Sequence, residues 1–139
     1  MKLPKPLTQP KIWLAGFLIW LGSLWFMSAN STTIEGIPPI PFFDKVCHFG
    51  YFFGGGGLLS AYFYSRRPTP PPWRQLILIV VLTLAAVGWI DEWHQTFTPG
   101  RSGNDPGDWL ADVLGCLAVA GVFRRFHLVF ESDRNPKSS

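Results

Sequence analysis

Apolar residues fall in four runs separated by short polar or proline-rich stretches. From Ile12 to Ile34 no charged residue occurs in 23 positions, more than the roughly 20 that a helix rising about 1.5 Å per residue needs to cross hydrocarbon. The second run, Phe42 to Tyr64, keeps its polar residues Asp44, Lys45 and His48 in the opening turns and ends at Ser65-Arg66-Arg67. The third, Gln75 to Ile90, has 16 residues and the fourth, Trp109 to Phe123, has 15, both short for a crossing. Trp73, Arg74, Trp89 and Trp93 flank the third, and Trp109, Arg124 and Arg125 the fourth. Such residues lengthen a span, because indole rings anchor at the interface and arginine stems snorkel. The pattern predicts an all-α polytopic membrane protein, a small bundle of four transmembrane helices near 12–30, 44–64, 74–93 and 108–124. The membrane domain is expected over 12–125, between a tail at 1–11 and a flexible tail at 126–139. Gly36 to Pro41 reads as a proline-rich turn, and Arg67 to Pro72 as a stiff polyproline-like spacer.

Composition agrees, since 47% hydrophobic residues with seven Trp and twelve Phe in 139 is too apolar for an ordinary small soluble domain. Lys2, Lys5 and Lys11 ahead of the first run suggest a cleaved signal peptide. The run is longer than such a segment needs, and bulky Met27 spoils the small-residue cleavage pattern near Ala29, so a retained anchor is expected. Cys47 and Cys116 lie within apolar runs and read as small buried residues, with neither a disulfide framework nor a metal spacing. The pI near 9.1 does not point to nucleic acid, because no basic stripe interleaved with aromatics occurs. Ten of the twelve Lys and Arg fall on one side of the predicted spans, all but Lys45 and Arg101. The excess of basic residues marks the cytoplasmic side, so both termini are expected there and the opposite face is acidic.

Three helix ends bring polar residues to that outer face. The second helix starts with Asp44 and His48 one turn apart, with Lys45 between them. The third ends with Asp91, Glu92, His94 and Gln95, and the fourth begins with Asp108 and, a turn deeper, Asp112. Asp44 and Asp108 have a plain use as N-terminal caps. Asp91 and Glu92 do not, since the dipole at a helix C-terminus disfavours negative charge and two adjacent acids there ask for a cation. Asp112 inside an apolar helix needs pairing or hydration. His94 turns away from the Asp91–Gln95 line and reads as interfacial. Gly54 to Gly57 lies mid-span without a following Lys-Ser/Thr, so it serves close helix packing, as do Gly88, Gly115 and Gly121, and not phosphate binding.

Asp44-Lys45-x-x-His48, then Asp91-Glu92-x-x-Gln95, Pro99-Gly100-Arg101-Ser102 and Asp108-x-x-x-Asp112-x-x-Gly115 together resemble the VanZ-like family of small bacterial membrane proteins. The resemblance covers roughly Asp44 to Gly121 and implies an integral protein of the bacterial cytoplasmic membrane. It also implies a cell-envelope role of the kind that gave the family its name, resistance to a glycopeptide antibiotic. It implies no reaction. Asp112 departs from the family pattern, where many members have Asn, and the stretch from Arg101 to Asp108 is a residue longer than that pattern, which leaves Asp105 and Asp108 unseparated.

Two functions fit these residues. In the first, the protein acts on a lipid-linked envelope precursor or a phospholipid head group. His48 oriented by Asp44 would move a proton, with Glu92 or Asp108 as second acid or base. Lys45 and Arg101 would bind phosphate, and Asp91, Gln95 and Asp112 would complete the substrate site. No Ser or Cys stands beside a base, so no covalent nucleophile is evident. No cofactor is expected. A hard divalent cation held by His48, Asp91, Glu92 and Asp108 ranks below the metal-free site, because no ligand pair has a diagnostic spacing. In the second, the same charges bind or shield membrane lipids without turnover. A transporter is weaker, since the charges cluster at one face instead of threading the midplane.

Overall fold

The computed structural model describes residues 5–30, 42–66, 69 and 71–131. The Gly36–Pro41 turn, half of the Arg67–Pro72 spacer, and the termini before residue 5 and after 131 lie outside them. Four long helices form, α1 (Pro10–Ser28), α2 (Phe43–Ser65), α3 (Trp73–Gln95) and α4 (Pro106–Phe126). A 3₁₀ turn, Lys5–Thr8, precedes them and a last turn, α5 (Leu128–Glu131), follows. Pro10 and Pro106 open α1 and α4, where the missing N–H is no loss and the fixed φ suits a helix. No strand occurs among the described residues.

The third and fourth helices are longer than their apolar runs. Asp91, Glu92 and Gln95 lie within α3, and Asp108 and Asp112 within α4, so these helices reach 23 and 21 residues. Three helices, α1, α3 and α4, are long and apolar enough to cross a membrane. α2 is 23 residues long but carries Asp44, Lys45, His48 and a run of four glycines. Phe130 of α5 packs with Trp13, Tyr64 and Phe123, so the bundle continues past residue 125, where the sequence pattern starts the tail.

The distribution of side chains is that of a membrane protein. Ile19 is 73% exposed, Phe26 70% and Leu82 65%, whereas Asp91, Glu92 and Asp108 are 3% and Asp112 0% exposed. Large apolar side chains facing outward on every helix, around a partly ionisable interior, suit lipid as the surrounding medium.

Helices consecutive in the chain alternate in direction. Gly16 lies against Leu58, Trp20 against Gly55 and Ser23 bonds Tyr51, so α1 and α2 are antiparallel. α2 and α4 run parallel, because contacts rise together: Lys45 with Asp108, His48 with Asp112, Phe52 with Cys116 and Gly56 with Val119. Glycine brings these two backbones together, since a Cβ on Gly115 would overlap the Phe49 carbonyl oxygen. Within the glycine run, Gly55 faces the Trp20 ring and Gly56 faces Val119, while Gly54 and Gly121 meet nothing. The sequence reading of close packing therefore holds for Gly55, Gly56 and Gly115 and fails for Gly54 and Gly121.

One core cluster centres on Phe17, Trp20, Phe52, Val80, Leu84 and Cys116. A second, at the far end, gathers Ala61, Tyr64, Leu76 and Phe123. Lys11, Arg66, Arg74, Arg124 and Arg125 belong to that far end. At the other end α1 and α3 finish and α2 and α4 begin, and there the polar residues meet.

Candidate functional site

α2 and α4 start side by side, so residues one turn in from each start are at equal depth. Lys45 Nζ donates to Asp105 Oδ2 and Asp108 Oδ1, each at 2.9 Å. One turn deeper, His48 Nδ1 lies 2.9 Å from Asp112 Oδ1. His48 is 8% exposed, so this pair is enclosed. Gly88 of α3 makes room for it, since a Cβ there would stand 2.6 Å from Asp112 Oδ2.

The other imidazole nitrogen, Nε2, faces two more carboxylates, with Asp44 Oδ1 and Glu92 Oε1 each 4.0 Å away. Asp44 was expected to orient His48. The structure gives that position to Asp112, which is closer and on the opposite ring nitrogen. Asp44, 64% exposed in its side chain, stands at the mouth.

The loop from Thr96 to Asp105 folds back over the end of α3. The Asn104 N–H donates to the Glu92 carbonyl at 3.2 Å, and the Asp105 N–H to Glu92 Oε2 at 2.8 Å. Gly100 and Asn104 take the positive φ angles, 80° and 63°, that such a reversal needs. Asp105 and Asp108 now separate. Asp105 is the N-cap of α4, accepting the Gly107 N–H at 2.7 Å, and the Lys45 ammonium, with that amide, holds its carboxyl below the usual range. Asp108 does not cap but sits in the first turn against Lys45. Asp44 does not cap either, since α2 starts from Phe42 with no side-chain cap bond.

Asp91, Gln95 and Arg101 form a second, adjacent group. Gln95 Nε2 donates to Asp91 Oδ2 at 2.9 Å, and Arg101 donates to Gln95 Oε1 from Nε at 3.1 Å and Nη2 at 2.7 Å. Arg101 therefore has a different partner from Lys45. Asp91 belongs to this group through Gln95. It lines an apolar groove of about 570 Å³ between α1 and α3, with Leu18, Leu21, Val87 and Ile90. Beyond the groove, towards the helix ends, α1 touches α3 and the loop that follows it. His94 stacks on Trp25, with ring centroids 3.8 Å apart, and its Nδ1 is 3.0 Å from Ser28 Oγ, while Thr98 Oγ1 donates to the Ser28 carbonyl at 2.9 Å. Those contacts give His94 an interhelical role that its sequence position did not disclose.

Asp44, Lys45, His48, Glu92, Asp108 and Asp112 thus converge with Asp105, and Asp91, Gln95 and Arg101 adjoin them. Among the described residues three buried carboxylate oxygens, Asp91 Oδ1, Glu92 Oε1 and Asp112 Oδ2, have no hydrogen-bond partner, an expensive condition for such groups. Asp44, His48 and Asp108 present ligand-type atoms within 4.8 Å of one another. Of the cation ligands expected from sequence, His48 and Asp108 belong to that set, Asp91 and Glu92 do not, and Asp44 joins it. No family model, curated protein or solved structure matches the chain.

Proposed function

We propose that this chain is a VanZ-like integral protein of the bacterial cytoplasmic membrane, crossing it four times with both termini in the cytoplasm. Its polar site acts at the outer face on the phosphate head group of a phospholipid or a lipid-linked envelope precursor. The four-span reading counts α2 as a crossing because its 23 residues match α3 in length and its charged residues and histidine are confined to one end. The orientation rests on the basic residues of the far end, which the positive-inside rule assigns to the cytoplasm.

The observation that carries the functional reading is the junction of an apolar groove with a charged site. The groove suits an acyl or isoprenoid chain lying beside α1 and α3. Asp91 at its wall connects through Gln95 to Arg101, whose guanidinium has five N–H donors and gives two to Gln95. Those left over suit a phosphate. The neighbouring imidazole and carboxylates are groups of acid–base chemistry.

Purified protein in detergent should convert a radiolabelled phospholipid or lipid-linked precursor, and His48→Ala should abolish conversion at unchanged folded yield. Arg101→Leu should weaken lipid binding roughly tenfold, the effect of losing a charge-assisted hydrogen bond. Binding without conversion under all conditions would favour a protein that shields or organises lipids, a reading to which the scarcity of nucleophiles at the site lends weight. Neither binding nor conversion would sink both.

Orientation has a separate check. In a background with Cys47→Ser and Cys116→Ala, Ser102→Cys should react with an impermeant maleimide added to spheroplasts, and Ser65→Cys should not. Labelling confined to Ser65→Cys would invert the topology.

A further inference from the structure

We propose that the mouth of this site holds one divalent transition-metal cation, bound by His48 Nε2, Glu92 Oε1, the Asp108 carboxylate oxygen not engaged by Lys45, and Asp44. Three of the four side chains have one atom fixed by the protein and another left for a ligand. His48 is fixed through Nδ1 by Asp112, Glu92 through Oε2 by the Asp105 N–H, and Asp108 through Oδ1 by Lys45. A carboxylate behind one imidazole nitrogen, with the other facing outward, is how proteins orient a histidine that ligates a metal.

Glu92 supplies an independent reason. It is 3% exposed and its Oε1 has no hydrogen-bond partner, yet it points at His48 Nε2 across 4.0 Å. It also lies near the C-terminal end of α3, where the dipole adds to the cost of its charge. Of the fixed cations nearby, Lys45 is engaged by Asp105 and Asp108, while Arg101 sits on the Gln95 side and bonds a neutral amide. Asp44, Asp91, Glu92, Asp105, Asp108 and Asp112 therefore outnumber Lys45 and Arg101, and a dianionic phosphate would meet net repulsion. A divalent ion removes that repulsion and gives the phosphate a point of attachment.

One imidazole nitrogen with three carboxylate oxygens favours Mn²⁺ or Zn²⁺ over Mg²⁺ or Ca²⁺. Bonds of about 2.1 Å put donors roughly 3–4 Å apart, against 4.0 Å from Nε2 to Asp44 and Glu92. Asp44, His48 and Asp108 already lie within 4.8 Å of one another, and closure asks Glu92 as well as the exposed Asp44 to move inward. With the ion in place His48 is a ligand and not a proton carrier, and Asp112 is its positioning residue. The site stands on donor geometry; only its use on a head group rests on the function proposed above.

The test needs no lipid. Full-length protein in detergent, stripped with chelator and dialysed, is titrated with MnCl₂ or ZnCl₂ by calorimetry. One ion per chain with micromolar or tighter affinity is expected. Glu92→Gln and Asp44→Asn should each weaken it at least tenfold, and Asp112→Asn by about tenfold as an outer-shell change. Asp44 is exposed, so its variant keeps the test sound should a buried variant fail to fold. No saturable binding by the wild type at 100 µM would overturn the proposal, as would equal binding by Asp44→Asn and Glu92→Gln, which would mean an adventitious ion only. Metal binding by a protein that takes no lipid would instead leave this site standing and remove the head-group reading.

Discussion

Replacing Asp112 with alanine will cost the folded protein about 3 kcal/mol or more, the range for removing one partner from a buried charged pair. Asp112 is fully enclosed and is the 2.9 Å partner of His48 Nδ1. Alanine leaves that nitrogen facing a void where water has no route in, and a buried polar group without a partner incurs its whole desolvation penalty. Unfolding followed in detergent by intrinsic tryptophan fluorescence should show the midpoint temperature falling by about 10 °C. Asp112→Asn separates the structural from the positioning role. It keeps an oxygen acceptor of the same size for His48, so most of the stability should return. What it removes is negative charge behind the imidazole, which makes Nε2 a poorer ligand or base. A variant stable like wild type yet weaker in metal affinity or lipid conversion would establish that Asp112 acts through His48. Wild-type stability in Asp112→Ala would show that the pair does not form.

The His48–Asp112 contact also shows where the sequence stops being informative. Asp44 and His48 are neighbours on one helix, so their proximity can be read from spacing alone. Asp112 is 64 positions away from His48, and its approach depends on the relative depth of α2 and α4, which Gly115 and the small residues of that seam determine. Their shared direction followed from counting spans, and equal depth would have followed from aligning Asp44 with Asp108. The third and fourth spans were legible despite their short apolar runs, because the flanking Trp and Arg residues put their ends near 74–93 and 108–124, within two residues of α3 and α4. What spacing does not show is that Asp91, Glu92 and Asp108 are buried against other helices, where pairing offsets charge that lipid would not tolerate. Gln95 and Arg101 were identifiable as site residues. Their bond to each other was not, because the loop from Thr96 to Asp105 has no periodicity and its path is fixed by bonds to Glu92. Asp105 illustrates the same limit. Capping by Asp105 or by Asp108 is equally consistent with Asp-Pro-Gly-Asp, and the choice shows only in the Gly107 N–H, which Asp105 accepts while Lys45 reaches both.

Gly115→Val should be the most damaging single substitution on the α2–α4 seam. A Cβ at this position would overlap the Phe49 carbonyl oxygen and stand 3.1 Å from the Phe53 nitrogen. These are backbone atoms of a helix, so no rotamer change relieves the clash and the helices must separate. Overpacking usually costs about 1–3 kcal/mol, and a β-branched side chain against backbone belongs at or above the upper end. The damage should not stay local. His48–Asp112 lies about one turn nearer the site end on the same seam and Lys45–Asp108 about one turn beyond that, so a shift that opens the crossing lengthens both. Metal affinity and lipid conversion should therefore fall in whatever fraction remains folded, by tenfold or more. Gly54→Ala and Gly121→Ala provide the contrast, since a Cβ at either meets nothing within 4 Å. With no clash to offset it, the gain in helix propensity of up to about 1 kcal/mol should leave them as stable as wild type or more so. Were Gly115→Val to melt with Gly54→Ala, or to keep full metal affinity, α2 and α4 would not be in backbone contact. The parallel register that brings His48 to Asp112 would then have to be abandoned.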